Sequence, residues 1–271
     1  MTPINRKILR DLWRIKGQAL AIALVIGSGV ATYIMSLGTL YSLEETRDAY
    51  YVRYRFAQVF APLKRAPQRL KADIADIAGV KTVETRIVKN VTLDIPGLSE
   101  PASGRLISLP ETREQTLNVL HLRQGRLLAP GRPDEVLVNE AFALANEFKP
   151  GNTFAAIING HKRTLTIVGV VLSPEYVYAL GPGALMPDDQ RFGIIWMEEK
   201  ALEAAFDLGG SFTEASMTLE RGVDASEVIA ALDRMTEKFG GIRAYAQKDQ
   251  ISNWFVTNEI NQLRAMGNVA P

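Results

Sequence analysis

Between residues 17 and 43 the chain carries no charged side chain, and positions 19–40 are mostly Ala, Leu, Ile, Val, Gly and Met. Wound as an α-helix, positions 19–40 rise about 33 Å, close to the hydrocarbon thickness of a bilayer. Arg6, Lys7, Arg10, Arg14 and Lys16 precede this run with only Asp11 opposing them, while Glu44, Glu45, Arg47 and Asp48 follow it. The positive-inside rule therefore predicts a transmembrane helix over 18–43, with the N-terminus in the cytoplasm and the rest on the far side. A cleaved signal peptide shares the basic start, and Gly29 and Ala31 form a small-x-small site. Its apolar region, however, runs only some 7 to 15 residues, and here the apolar stretch continues to Leu40. Ile4, Ile8, Leu9, Leu12 and Trp13 recur at helical spacing among basic residues, which predicts an amphipathic elbow over 1–17 on the cytoplasmic interface.

Beyond the span the pattern changes. Residues 56–63 read as a strand, and Pro67 opens a helix with Leu70, Ile74 and Ile77 on one face. Val83, Ile87, Val91, Leu93 and Ile95 then alternate with polar residues as one half-buried strand, with a break or bulge at Lys89. The same order returns later: a strand over 212–219; a helix with Asp224 and Glu227 at its start and Val228, Ile229, Leu232 and Met235 along one stripe; a stop at Gly240-Gly241; a strand over 242–245. Two strand-helix-strand units around a long middle predict an α+β chain, a split βαβ/βαβ (ferredoxin-like) subdomain over 44–100 and 211–250 with an inserted, mainly β subdomain over 101–210. Within the insertion, Asn159-Gly160 between two apolar, β-branched runs gives a strong hairpin signal. Residues 135–139 read as a strand, 141–148 as a helix, 192–197 as a strand, and Pro182, Gly183 and Pro187 mark an exposed loop. Residues 251–271 read as a helix with Ile251, Phe255, Leu263 and Met266 on one side, leading toward a second span outside this sequence.

In the span, Ala19, Ala23, Gly27 and Ala31 recur every fourth residue, a ridge of small side chains that lets membrane helices approach closely. Composition narrows the function further. A formal net charge of +1, from 31 basic and 30 acidic residues, excludes a nucleic-acid binder that works by neutralising phosphates. Zero cysteines remove disulfides, thiolate metal sites and thiol nucleophiles. There is no phosphate-binding G-x-x-x-x-G-K-[ST] run, so no ATP site is read here. His121 and His161 stand apart, and a metal site needs several ligands together. No catalytic residue, cofactor or metal is assigned, and the chain is read as no enzyme. Aromatic residues carry more: Tyr41, Tyr50, Tyr51 and Tyr54 follow the span, as an interfacial belt or as a surface that meets a substrate leaving the membrane. Tyr176, Tyr178, Leu180 and Met186 lie around the Pro/Gly loop, either as core or as contacts for an adaptor or a lipid chain. Tyr50, Tyr54, Tyr176, Tyr178 and Met186 are the candidate contact residues.

Taken in order, Gly125-Arg126, Glu135-Val136-Leu137-Val138-Asn139-Glu140, Gly151-Asn152, the run from Leu165 to Val171 with its Val-Gly-Val centre, and Ser173-Pro174-Glu175-Tyr176 carry a resemblance. They resemble the extracytoplasmic core pattern of the FtsX/MacB-type (type VII) ABC transporter permeases, and the likeness extends over nearly the full length. The resemblance implies a porter subdomain for the split unit, a sabre subdomain for the insertion, and three further membrane helices. It implies a permease subunit in the bacterial inner membrane, its main domain periplasmic, that passes motion from a separate ABC ATPase subunit to a domain moving a lipid, lipoprotein or amphipathic compound. A second permease copy or half, a membrane-fusion adaptor and membrane lipid are the partners it implies. A single-pass sensor or scaffold is the alternative, and three further hydrophobic spans would distinguish the permease from it.

Overall fold

In the computed structural model of the chain, the described residues are Lys7, Trp13, 16–111 and 113–269, without the side chains of Ala19 and 266–269. Ile4, Ile8, Leu9 and Leu12 of the predicted elbow, and the side chains of Ala19 and Met266, lie outside them. The chain divides into two units, Met1–Ala49 with Thr257–Pro271, and Tyr50–Val256.

In the first unit the main element is the N-terminal part of α1, a continuous helix over Lys16–Arg53. It is, among the described residues, the one helix long and apolar enough to cross a membrane. Leu20, Ile22, Leu24, Val25, Ile26 and Ile34 are all more than half exposed. A water-soluble helix would bury such a row; a lipid-facing one need not. Two polar side chains of the span are satisfied within the helix: Ser28 Oγ donates to the Val25 carbonyl at 2.8 Å and Thr32 Oγ1 to the Ser28 carbonyl at 2.9 Å. Hydrocarbon offers no other partner. Just past the apolar run, Glu44 pairs with Arg264 of the C-terminal helix, and Leu40 and Ile260 are buried.

The second unit holds, among the described residues, eleven strands in two sheets. The first sheet joins β1 (Val59–Pro67), β2 (Val80–Arg86), β10 (Ser211–Leu219) and β11 (Tyr245–Ala246) in the order β11-β1-β10-β2. Helix α2 (Leu70–Ala75) connects β1 to β2, and α5 (Ala225–Thr236) connects β10 to β11. The ladders β1–β10, β10–β2 and β1–β11 are all antiparallel. Leu70 and Ile74 of α2 and Val228 and Leu232 of α5 share one core with Ala61, Leu63, Phe212 and Met217 of the strands. The order read from periodicity is therefore present, although the last strand is short: Ile242 is exposed, Gly241 makes an isolated bridge to Leu63, and the ladder to β1 begins at Tyr245.

The other seven strands are β3 (Val88–Asp94), β4 (Ala102–Leu109), β5 (His121–Gly125), β6 (Glu135–Asn139), β7 (Thr153–Ile158), β8 (His161–Leu172) and β9 (Phe192–Glu198). Their order is β5-β8-β6-β9-β4-β3-β7, and β7 also pairs with β8, so six strands close into a ring with β5 on the outside of β8. Asn159 and Gly160, at φ of 49° and 81°, make the β7–β8 turn, the left-handed pair that a two-residue hairpin requires. Helices α3 (Glu140–Ala145) and α4 (Glu199–Phe206) follow β6 and β9. Alternate residues of β9 pack to opposite sides, Ile195 and Met197 with Phe142 and Leu202, and Ile194 and Trp196 with Val171 and Tyr176. Every residue of β9 is thus buried, each such large apolar side chain contributing roughly 1.5–3 kcal/mol.

The structure corrects the division expected near residue 100. The alternating stretch over 83–95 is not one strand with a break at Lys89. It changes sheets at Ile87, so β3 belongs with the inserted strands. The β10 ladder ends at Arg86 opposite Glu214, and the β4 ladder begins at Val88 opposite Ile107. Between them Ile87 N–H donates to Ser108 Oγ at 2.9 Å and Val88 N–H to Thr213 Oγ1 at 2.7 Å, so side-chain oxygens replace the interrupted ladder. The apolar positions keep one parity through the change, Val83 in the core of the first sheet and Ile87, Val91 and Leu93 in that of the second, and a period of two records the face, not the partner.

Candidate functional site

The five candidate contact residues fall in three places. Tyr50 and Tyr54, at the end of α1, have ring centroids 4.8 Å apart, and Tyr54 lies 5.4 Å from His121. Burial lifts the Tyr50 phenol well above its ordinary pKa, with Tyr54 and Tyr51 adding to the shift. The turn after α1 is fixed from the other side: Asn118 and Val119 N–H donate to the Arg55 and Tyr54 carbonyls at 2.9 and 2.8 Å, and Ala57 N–H donates to Asn118 Oδ1 at 2.9 Å. Phe56, Phe60 and Leu117 complete a small core with Tyr51 and Tyr245. Much of this aromatic cluster therefore seats the helix end in the folded unit.

Met186 is in the Pro/Gly loop, 76% exposed beside Leu185 at 89%. Tyr176 is a correction: it is buried, with its ring 6.2 Å from Trp196, and burial pushes its phenol well above the ordinary range. It faces Arg105, whose charge burial opposes and Tyr176 supports. Pro/Gly content marks the loop that begins a few residues later, and does not reach back to Tyr176. Tyr178 is half-buried with Phe255 at 6.0 Å. Ala23, Gly27 and Ala31 are exposed along α1, and a Cβ at Gly27 would meet nothing within 4 Å.

What the sequence reading missed lies beside Tyr176. Arg86, at the end of β2, donates to both carboxylate oxygens of Glu175, at 2.7 and 2.5 Å, and from Nε to Glu214 Oε1 at 2.7 Å, with a second donor also on that oxygen. All three residues are buried. Burial opposes the Arg86 charge, but Glu175 and Glu214 outweigh it and hold the guanidinium well above its ordinary value. Burial pushes the Glu214 carboxyl upward against the pull of Arg86, and Glu175 adds to the push. These two directions conflict over the charge of the pair; two guanidinium donors on one oxygen require an acceptor there, which fits the carboxylate form. The residues come from β2, β10 and the segment after β8, so no local spacing announces the cluster.

The residues of the sequence motif converge as well. Gly125, at φ 78°, and Gly169 lie where β5 meets β8; a Cβ on either would collide with a backbone carbonyl, of Val168 or Arg126 respectively. Arg126 forks onto Glu135 at 2.6 and 2.8 Å, lowering the Glu135 pKa through that hydrogen bond, and Asn139 Oδ1 accepts the Ile194 N–H at 2.9 Å. Gly151 N–H donates to the Ile167 carbonyl at 2.7 Å. Apart from the Arg126–Glu135 ion pair, these contacts position backbone.

One open cleft of about 290 Å³ is lined by Lys71, Glu111, Arg113, Glu199, Lys200 and Glu203. Lys200 pairs across it with Glu111 at 2.7 Å and Arg113 with Glu199 at 3.9 Å, while Arg113 also reaches Glu84, outside the lining, at 3.1 Å. Burial, then Arg113, lowers the Lys71 pKa, and burial raises that of Glu199. Among the described residues no three His, Cys, Asp or Glu side chains group to hold a metal ion. His161 is exposed at the hairpin turn.

No protein-family profile matches the chain, and no curated protein does. Several solved structures do match. The extracellular domain of the noncanonic ABC-type transporter YknZ from Gram-positive bacteria is 12% identical, with a TM-score of 0.42 over 70% of this chain and 98% of that one. The periplasmic region of MacB from Actinobacillus actinomycetemcomitans is 14% identical, with a TM-score of 0.43 over 78% of this chain and 95% of that one. By the descriptions of those structures, the proteins to which this chain is similar are domains that stand outside the cytoplasm.

Proposed function

We propose that the chain is the first membrane helix and extracytoplasmic domain of a permease subunit in an ATP-driven exporter of the bacterial inner membrane. Its role is mechanical: nucleotide-driven motion in a partner ATPase reaches the domain through membrane helices and changes its conformation, and that change moves a lipid, lipoprotein or amphipathic compound. The observation that carries this reading is the ordered motif from Gly125 to Tyr176, whose glycines and Asn139 fix backbone where β5, β6, β8 and β9 meet. The sheet order β11-β1-β10-β2 supports a porter-like split unit, and the ring of strands beginning at Val88 supports a sabre-like insertion. The exposed apolar face of α1, with the small residues Ala23, Gly27 and Ala31, supports a helix that packs against other membrane helices, from the same subunit or from a second copy.

The test joins sequence and biochemistry. The gene is read beyond codon 271 and its full product is purified from membranes with the ATPase encoded beside it. Three further hydrophobic spans and a stable complex with that ATPase are expected; a product without further spans that leaves the ATPase behind sinks the proposal and supports a single-pass sensor or scaffold.

A further inference from the structure

The segment after β8 touches more of the second unit than its length requires. Glu175 is gripped by Arg86, which stands at the point where the chain leaves the first sheet for the second, and Arg86 also holds Glu214 of β10. One residue on, Tyr176 is packed against Trp196 of β9. The same segment is tied to the start of the C-terminal helix α6 (Ile251–Val269). Gln250 Nε2 donates to the Glu175 carbonyl at 2.7 Å while its Oε1 accepts the Asn253 N–H at 2.9 Å, so one buried amide caps the helix and fastens it. Ser252, fully buried, accepts the Tyr178 N–H on Oγ at 2.9 Å. The Tyr178 ring lies against Phe255.

Two features set this apart from ordinary core packing. A buried ion cluster is a poor way to gain stability, since apolar residues of similar volume often serve as well, but its directional bonds specify one arrangement of the pieces they join. Gln250 and Ser252 are polar residues buried at a helix start, and each has its hydrogen bond on this segment; leaving either group unpaired would be costly, so the helix start and the segment have one favourable relative position. We propose that residues 173–178 are a strap that makes the first turn of α6 move as one body with both sheets. If the chain is a permease subunit as proposed above, a displacement of α6 is delivered to the ring of strands at Glu175 and Tyr176; the strap itself does not depend on that reading.

Hydrogen exchange on the full chain in detergent micelles tests the tie without any ATPase, so a failed strap and a failed permease reading give different results. In the wild type, the amides of Asn253–Val256, Tyr178 and Val88 should open together. In Arg86→Met/Glu175→Leu/Glu214→Leu, which removes the ions at similar volume, exchange of the Asn253–Val256 amides should accelerate at least tenfold while that of β9 is unchanged. Equal acceleration in β9, or no change in α6, overturns the proposal. Gln250→Leu/Ser252→Ala, which leaves the ion cluster in place, is the second variant should the first not fold. It should accelerate Tyr178 at least tenfold, again with β9 unchanged, and unchanged Tyr178 exchange is the overturning result.

Discussion

Arg86 decides more than any other single side chain described above, because its two carboxylate partners are buried with it and both bond to its guanidinium directly. Truncating one partner of a buried pair leaves the other charge uncompensated, which costs about 3–5 kcal/mol. Arg86→Met is therefore expected to lower the unfolding free energy by about that amount in urea titrations, and the triple apolar variant to recover most of it. The pH dependence has a definite sign. Burial already raises the Glu214 pKa, and without the guanidinium it rises further. A group with a raised folded pKa stabilises below its unfolded value and loses that contribution as pH rises through the folded one. Arg86→Met should thus regain stability when the titration is moved from about pH 7 to about pH 5, more than the wild type does. Nothing in the composition around Arg86 hints at this. An arginine on the polar side of an alternating stretch reads as solvated, and its partners lie 89 and 128 positions away.

Elements were legible where a local signal fixed them. Asn159-Gly160 set the β7–β8 hairpin, the stripe Val228, Leu232 set α5, and apolar runs set β6 and β9. The cap of α5 was legible too: Asp224 accepts the Ser226 N–H at 2.9 Å, and that bond holds its pKa below the ordinary carboxylate value. Its contribution is present above the unfolded value and disappears as pH falls through the lowered one. Asp224→Ala should accordingly speed amide exchange in the first turn of α5 near neutral pH, and the difference from the wild type should vanish in strong acid. Elements were not legible where long-range pairing made them. β4 contains Ser103, Gly104 and Arg105 and shows no clean alternation, because β3 and β9 flank it and both its faces are partly covered. β5 is almost wholly exposed and is a strand through its ladder to β8. In α6 the expected stripe is only partly covered: Ile251 and Leu263 are exposed and Phe255 is half-buried against Tyr178, whereas Ser252, off the stripe, is buried with its hydroxyl accepting the Tyr178 N–H.

For the chain in its membrane, the open alternatives are an anchor and a cleaved leader. An anchor retains residues 1–31, so the intact mass of protein extracted from membranes should include them; a mass beginning after Ala31 would identify a leader. The apolar helix also makes a quantitative prediction. A charge at mid-span, as in Val25→Lys, should oppose insertion by about 2.5–3.5 kcal/mol, and the fraction of chain resistant to alkaline extraction should fall with it. By contrast, Gly27→Leu should insert normally and reduce association with other membrane helices, since the small ridge is lost while the apolar character is kept.

Short-range features of the chain settled what short-range physics can settle: an apolar run of bilayer length, a turn that needs left-handed residues, helix caps, and the alternation that assigns each residue to a buried or exposed face. Those depend on neighbours along the chain. Which sheet an alternating strand joins, whether Tyr176 is a contact or a core residue, and how Arg86, Glu175 and Glu214 come to share one buried site depend on partners brought together from far apart. A periodic pattern is equally satisfied by either sheet, and a charge is equally solvated in any exposed position until folding excludes the water around it.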